Sequence, residues 1–191
     1  MIFLEKINHL IKSYNSNMYK PMDEAVLYGL YDKTPPLAEH IIFNPMPADV
    51  MQNMVNNYKR TFPEQLLTIY RAMNGANLFW STCLIRDIKI PMSYFSIYAI
   101  PLTYDRRHIE PFNISIEDLN RPKNTPDSWL KFGSFYKPKN FSDRFDLFVD
   151  TDNGCVFSVD HDAEKCDTIE SWNTVDECLC YIFDLLNEAE L

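Results

Sequence analysis

Two short acidic stretches near the C-terminus hold the side chains with the clearest potential for metal chemistry. Asp150-Thr-Asp-Asn-Gly154 carries oxygen ligands close together, as a calcium-binding loop does. It lacks an acid at the fifth position, which is Gly154, and a glycine at the sixth, which is Cys155. Asp160-His161-Asp162 places one imidazole between two carboxylates. Both stretches are therefore interpreted as turns, and the sequence predicts no metal site.

The other reactive residue types do not follow a known catalytic pattern. No metal-ligand spacing relates the four histidines to one another or to cysteine: His9, His40, His108 and His161. The four glycines form no phosphate-binding loop, and Gly-x-Ser-x-Gly is absent. Folding could still bring a cysteine and a histidine together, although no local signature indicates it. The sequence predicts a protein without enzymatic activity or cofactor.

The cysteines indicate a reducing compartment. Their number is odd and their spacing irregular: Cys83, Cys155, Cys166, Cys178 and Cys180. Free cysteines are usually buried, so we expect reduced, mostly buried thiols. The start of the chain acquires charge at Glu5 and Lys6, which does not suit a signal peptide, and no apolar run is long enough to cross a membrane. We expect a cytoplasmic protein.

The charge is distributed unevenly along the 191 residues. The formal net charge is −9, yet residues 143–191 hold 14 Asp and Glu against two Lys and Arg. Such acidity repels phosphate backbones, so nucleic-acid binding is not expected. It can steer a basic protein partner, or it can serve solubility alone. The basic cluster Arg106-Arg107-His108 is too small for a nucleic-acid footprint and is interpreted as a surface loop.

Helical periodicity predicts four helices. The first three cover residues 2–14, 48–59 and 61–73, and the last begins after Thr174 and carries inward-facing residues from Val175 to Leu186. In the third, Thr61 is the expected cap with Glu64 as capping-box partner, and Asn74-Gly75 ends the helix. In the fourth, Thr174 and Glu177 form the same box. The proline-rich stretch 15–47 predicts a connector, with a short helix over Asp23–Tyr31.

Strand patterns dominate the second half of the chain. They predict strands at 93–100, 129–136, 144–150, 155–160 and 166–172, with a hairpin turn at Thr151–Gly154 and a helical turn at 115–119. Helices followed by strands and a closing helix indicate an α+β fold, a mostly antiparallel sheet with helices packed on one face. We expect an N-terminal helical extension and connector over 1–46 and an α+β domain over 47–191.

In the order of these features the chain resembles the SUKH superfamily. The residues that carry the resemblance are Pro63, Leu66, Leu67, Tyr70, Asn74 and Gly75, then Trp129, Leu130 and Gly133, then Asp150, Gly154 and Val156, then Ser171 and the helix from Val175. The chain departs from the family pattern at Ala76, where a second glycine is common, in its longer N-terminal lead-in, and over 87–126, which do not align.

The resemblance implies a binding module. Many bacterial members are immunity proteins that neutralise a cognate polymorphic toxin, often a nuclease, and eukaryotic relatives are regulatory scaffolds. We therefore expect a non-catalytic protein whose partner is a basic toxin domain. The alternatives are an intracellular regulatory scaffold with an endogenous partner and a hydrolase without a recognisable motif. The candidate partner-binding residues are Asp150, Asp152, Asp160, Asp162, Trp80 and Tyr94.

Overall fold

A computed structural model describes residues 1–30, 38–57, 61–85, 88–98, 122–138 and 140–189. These residues form one nine-stranded antiparallel sheet and four helices, which confirms the α+β fold class. The helices are α1 (Ile2–Lys12), α2 (Ala48–Asn57), α3 (Glu64–Ala72) and α4 (Val175–Asn187). The strands are β1 (Tyr19–Pro21), β2 (Ala25–Leu30), β3 (Ala38–Phe43), β4 (Ala76–Ile85), β5 (Ile88–Ile97), β6 (Trp129–Lys137), β7 (Asn140–Asp150), β8 (Val156–Asp160) and β9 (Thr168–Trp172).

The strands follow one another in space as they do along the chain. Each pairs with its sequence neighbours, so β1 and β9 are the two edges of the sheet. Residues 1–46 thus contribute the helix α1 and three strands, and these strands belong to the same sheet, because β3 pairs with β4 at Ile42 and Ala76. The expected helix over Asp23–Tyr31 is wrong for the residues described there, because Ala25–Leu30 is a strand. In the structure Ala25 and Leu27 are buried and their neighbours along the strand are half-buried. Because both faces of the strand carry apolar residues, this alternation is not visible in the sequence.

The main hydrophobic core lies between the sheet and the helices. Fully buried side chains come from α1, α3, α4 and the central strands, among them Phe3, Leu66, Ile69, Leu179, Ile182, Phe95, Phe132 and Leu147. Burying each such side chain stabilises the fold by about 1.5–3 kcal/mol. The core therefore fixes the sheet that positions the residues discussed below.

Of the two predicted helix N-caps, the structure confirms the one of α4 and not the one of α3. In α4 the Thr174 side chain accepts a hydrogen bond from the Glu177 backbone N–H at 3.1 Å, as expected of a cap. In α3 the expected Thr61 cap is wrong, because the helix begins at Glu64 and Pro63 occupies the capping position in an extended conformation. Gly75, with φ of 92°, adopts the left-handed conformation that turns the chain into β4.

The outer part of the sheet has a second packed surface. In β7, Phe145, Leu147 and Val149 belong to the main core, while Phe148 belongs to a smaller cluster with Trp129 and Val159. Successive side chains of a strand point to opposite faces, so this cluster and Asp146 share the face turned away from the main core. The predicted hairpin between β7 and β8 is confirmed, and Gly154 in its turn has φ of 80°.

Candidate functional site

The turn between β8 and β9 concentrates acidic side chains. Asp160, Asp162, Glu164 and Asp167 are exposed and Glu170 on β9 is half-buried. We call these five residues the acidic edge. Within the described part of the chain none of them forms an ion pair, and Lys165 is the one lysine or arginine among residues 160–170. The structure therefore presents a negative surface with little internal compensation.

Hydrogen bonds hold this turn in one conformation. The Asp160 carboxylate accepts from the Asp162 backbone N–H at 2.9 Å, which closes the first part of the turn. The second part is held by Lys123, whose N–H donates to the Glu164 carbonyl and whose carbonyl accepts from the Cys166 N–H, each at 3.0 Å. A turn held in this way presents its carboxylates at fixed positions.

A buried ionic cluster lies behind the acidic edge. It consists of Lys131 on β6, Arg144 and Asp146 on β7, and His161 in the β8–β9 turn. Asp146 is 1% exposed and Lys131 is 7% exposed. One oxygen of Asp146 lies 2.5 Å from Lys131 Nζ and 2.9 Å from His161 Nδ1, and the other lies 3.9 Å from Arg144 Nε. One carboxylate thus links two strands to the acidic turn.

Burial alters the titration of the groups around this cluster. Loss of solvent lowers the pKa of Lys131, although the charge and hydrogen bond of Asp146 oppose the change. Tyr98, whose hydroxyl accepts from Arg144 Nη2 at 3.1 Å, has its pKa raised by burial. Because Lys131 Nζ is bound to Asp146 and nearly inaccessible, it is not presented as a nucleophile. The arrangement instead fixes His161, and with it the acidic turn.

The structure does not bring all of the predicted partner-binding aspartates together. Asp160 and Asp162 belong to the acidic edge, whereas Asp150 and Asp152 lie at the opposite end of the β7–β8 hairpin, about 13 Å away or more at 3.3 Å per residue. The Asp150 carboxylate accepts hydrogen bonds from the Asp152 N–H at 3.0 Å and from Asn153 Nδ2 at 2.8 Å. Its oxygens shape the turn, as the sequence predicts for this stretch. No group of metal-binding side chains occurs among the described residues.

The two aromatic candidates lie apart from the acidic edge. Tyr94 on β5 is 4% exposed and belongs to the main core, so it does not present a surface anchor. Trp80 on β4 is half-buried and lines a cavity with His40, and its indole Nε1 is buried without a hydrogen-bond acceptor in the described part of the chain. Burial lowers the pKa of His40 to about 4, so its ring is neutral at pH 7.

The described cysteines are free thiols. Cys178 is buried, and Cys155, Cys166 and Cys180 are half-buried. Burial raises the pKa of Cys178, and it raises that of Cys180 to about 11. These two thiols are therefore protonated at neutral pH and are poor nucleophiles. The side chain of Cys83, the cluster Arg106–His108 and the expected helical turn at 115–119 lie outside what the structure describes.

Sequence patterns missed several parts of this site. Glu164, Asp167 and Glu170 were not distinguished from the general acidity of the C-terminal quarter. The pairing of Lys131 with Asp146 had a usable signal, because each is a charged residue directly between two apolar residues of its strand, where a buried charge requires a partner. The cavity beside Trp80 had none, since it is built from α1, β3, β4 and α4 together.

Comparisons with known proteins do not assign the chain to a family. No family model matches it, and neither the curated proteins nor the solved structures give a match. Among the described helices, none has the length and apolar character needed to cross a membrane.

Proposed function

We propose that this protein is a non-catalytic binding protein of the immunity type, which neutralises a bacterial toxin by binding its basic domain in the cytoplasm. The observation that carries the proposal is the acidic edge, whose five acids form no ion pair among the described residues and have Lys165 as the one lysine or arginine within residues 160–170. The order of helices and strands along the chain resembles that of SUKH proteins and supports the same function.

The acidic edge suits rapid capture of a basic partner. Like charges gathered on one surface steer an oppositely charged protein and raise association rates by about 10- to 1000-fold at low salt. The buried cluster holds His161 between Asp160 and Asp162, so the turn is ordered before binding. A preformed surface loses less conformational entropy on association than a flexible one.

Apolar side chains beside the acids supply contact area. Ile169 on β9 is 51% exposed and adjoins Glu170. On α4, Tyr181 is 44% exposed, and its ring packs against Trp172 with centroids 5.6 Å apart. Interfaces gain most of their energy from a few apolar or aromatic anchors surrounded by polar groups. We assign this anchor role to Ile169 and Tyr181, in place of Tyr94.

The proposal is tested by affinity capture from the native host with mass spectrometry. The baits are the wild-type protein, an Asp162→Lys/Glu164→Lys variant and a control variant, Glu5→Lys/Asp23→Lys, which reverses two exposed acids far along the chain. We expect the wild type and the control to capture a protein with a basic domain, and the first variant to lose it. Equal capture by all three baits would exclude the acidic edge as the interface.

The identity of the captured protein decides between the two classes of binding protein. Expression of the captured basic domain in a heterologous host should arrest growth, and co-expression of this protein should restore it. A captured housekeeping protein without toxicity would instead favour the regulatory scaffold. Turnover of the partner by the purified protein would contradict a non-catalytic role.

A further inference from the structure

A cavity of about 290 Å³ lies between α1, β3, β4 and the C-terminal end of α4. Its wall is mainly aliphatic and aromatic, with side chains of Leu10, Tyr14, Phe79, Trp80 and Leu186. At about 30 Å³ per water molecule, a space of this size holds a molecule of roughly ten non-hydrogen atoms. The acidic edge does not contribute to this cavity, so a ligand here would not compete with a partner bound at that edge.

Glu39 gives the cavity a negative charge at pH 7. Burial lowers the pKa of His40, which also lines the cavity, to about 4, so its imidazole is neutral at this pH. The described lining residues include no lysine or arginine. Glu39 also forms no ion pair with any other residue that the structure describes. The described part of the chain therefore supplies one carboxylate to this cavity and no counter-ion for it.

The Glu39 carboxylate is held in place and keeps an available acceptor. The Tyr14 hydroxyl donates a hydrogen bond to Glu39 Oε2 at 2.7 Å. Gly29 leaves room for the rest of the side chain, because a Cβ at Gly29 would lie 2.7 to 2.8 Å from three carbon atoms of Glu39, and its φ of 70° favours glycine. Glu39 Oε1 has no donor among the described residues and is not enclosed by them. Since a carboxylate has about four acceptor positions, this one can still accept from a ligand.

The C-terminal end of α4 adds a second negative contribution. Leu186 and Asn187, the last two residues of this helix, both line the cavity. The last carbonyl groups of a helix have no intrahelical donor and carry a partial negative charge. The last turn of α4 contains no basic residue that would offset this charge. Glu39 and the end of α4 therefore both favour a cation in the cavity and disfavour an anion.

We propose that this cavity binds a small organic cation, a primary amine on a compact apolar body. The ammonium group donates to the Glu39 carboxylate, and the body lies against the apolar wall formed by Leu10, Phe79 and Leu186. Hydrogen bonds between charged groups are roughly twice as strong as those between neutral groups, so the amine is the group that selects the ligand. A lysine side chain of another protein would bring one nitrogen and four methylene groups, about half of what the cavity holds, so a free amine with a larger body fits better.

The test is a titration of the full-length protein followed by nuclear magnetic resonance of the Trp80 side chain, which lines the cavity. Three probes share one body and differ in charge: 2-phenylethylamine is a cation, 2-phenylethanol is neutral and phenylacetate is an anion. We expect the amine to shift the Trp80 resonances saturably and the alcohol to bind about 10-fold more weakly, the effect of a hydrogen bond to a charged group. Phenylacetate should not bind. A fourth probe, Nα-acetyl-lysine methylamide, presents the lysine of a protein and should bind more weakly than 2-phenylethylamine.

Two variants separate recognition by Glu39 from the general acidity of the protein. Glu39→Gln keeps an acceptor for the Tyr14 hydroxyl and removes the charge, so it should weaken amine binding about 10-fold and abolish the preference for the amine over the alcohol. Glu5→Gln removes an exposed carboxylate that does not line the cavity and should change neither affinity.

Three results would overturn the proposal: no saturable shift of the Trp80 resonances, phenylacetate or the lysine derivative binding as tightly as the amine, or equal effects of the two variants. The wild-type probe series decides the matter even if Glu39→Gln does not fold.

Discussion

Replacing Asp146 with asparagine should destabilise the protein strongly while preserving side-chain shape. Asp146 is 1% exposed and lies 2.5 Å from Lys131 Nζ, 2.9 Å from His161 Nδ1 and 3.9 Å from Arg144 Nε. The variant leaves the buried Lys131 without its counter-charge. Removing one partner of a buried ion pair typically costs about 3–5 kcal/mol, which is the loss expected in the free energy of unfolding by urea.

The pH dependence of this loss is specific to Lys131. Burial already lowers the pKa of Lys131, and without Asp146 it should fall further. In the variant, the unfolded chain then binds more protons than the folded protein at pH values between the lowered pKa of Lys131 and the ordinary lysine pKa. Within this range the free energy of unfolding of the variant therefore rises with pH relative to that of the wild type. The deficit measured at pH 9 should therefore be smaller than that at pH 7.

Two further variants test whether the loss of stability comes from the Lys131–Asp146 ion pair. Asp162→Asn, an exposed carboxylate in the same region, should change stability by less than about 0.5 kcal/mol. The double variant Lys131→Met/Asp146→Leu replaces the ion pair with apolar side chains and should recover much of the loss. A loss below about 1 kcal/mol for Asp146→Asn, against the 3–5 kcal/mol expected, or a deficit that grows with pH, would refute the account of this cluster.

Three more predictions concern stability and are measured by urea unfolding. Gly133→Ala should cost about 1–3 kcal/mol, because the new Cβ would lie 2.6 Å from the Ser96 backbone oxygen on the neighbouring strand. Thr174→Ala should cost about 1 kcal/mol, because it removes the acceptor for the Glu177 N–H at the start of α4. Between pH 7 and pH 4.5 the wild type should lose about 2 kcal/mol more than His40→Gln, because the unfolded histidine takes up a proton that the folded ring, with pKa about 4, does not.

Each of these predictions has a contrary result. A neutral Gly133→Ala would mean that β5 and β6 separate without cost, and equal effects of Thr174→Ala and the exposed control Thr168→Ala would remove the capping argument. Parallel pH profiles for wild type and His40→Gln would mean that the imidazole of His40 titrates normally in the folded protein.

Local signals predicted the second half of the fold well. The β7–β8 hairpin and the capped helix α4 depend on neighbouring residues such as Asn153-Gly154 and Thr174, whose conformational preferences are visible in the sequence. The strand β2 was missed because its two faces are both apolar, which hides the period of two. The start of α3 was misplaced because a proline at position 63 suits both the first turn and the residue before it.

The site was less predictable than the fold. Charge alone predicted Asp160 and Asp162 as partner-binding residues, but their separation from Asp150 and Asp152 depends on the register of the hairpin. Tyr94 and Trp80 look equivalent in sequence, and only packing between distant elements places one in the core and the other beside a cavity. Contacts of this kind join residues far apart in the chain, so no local pattern encodes them.

The most direct test of the central claim is the association rate constant between this protein and the partner it captures, measured at low and physiological salt. We expect fast association at low salt, about 10-fold or more slower for Asp162→Lys/Glu164→Lys, and unchanged for Glu5→Lys/Asp23→Lys. An association rate insensitive to both salt and reversal of the acidic edge would contradict a role of this surface in partner binding.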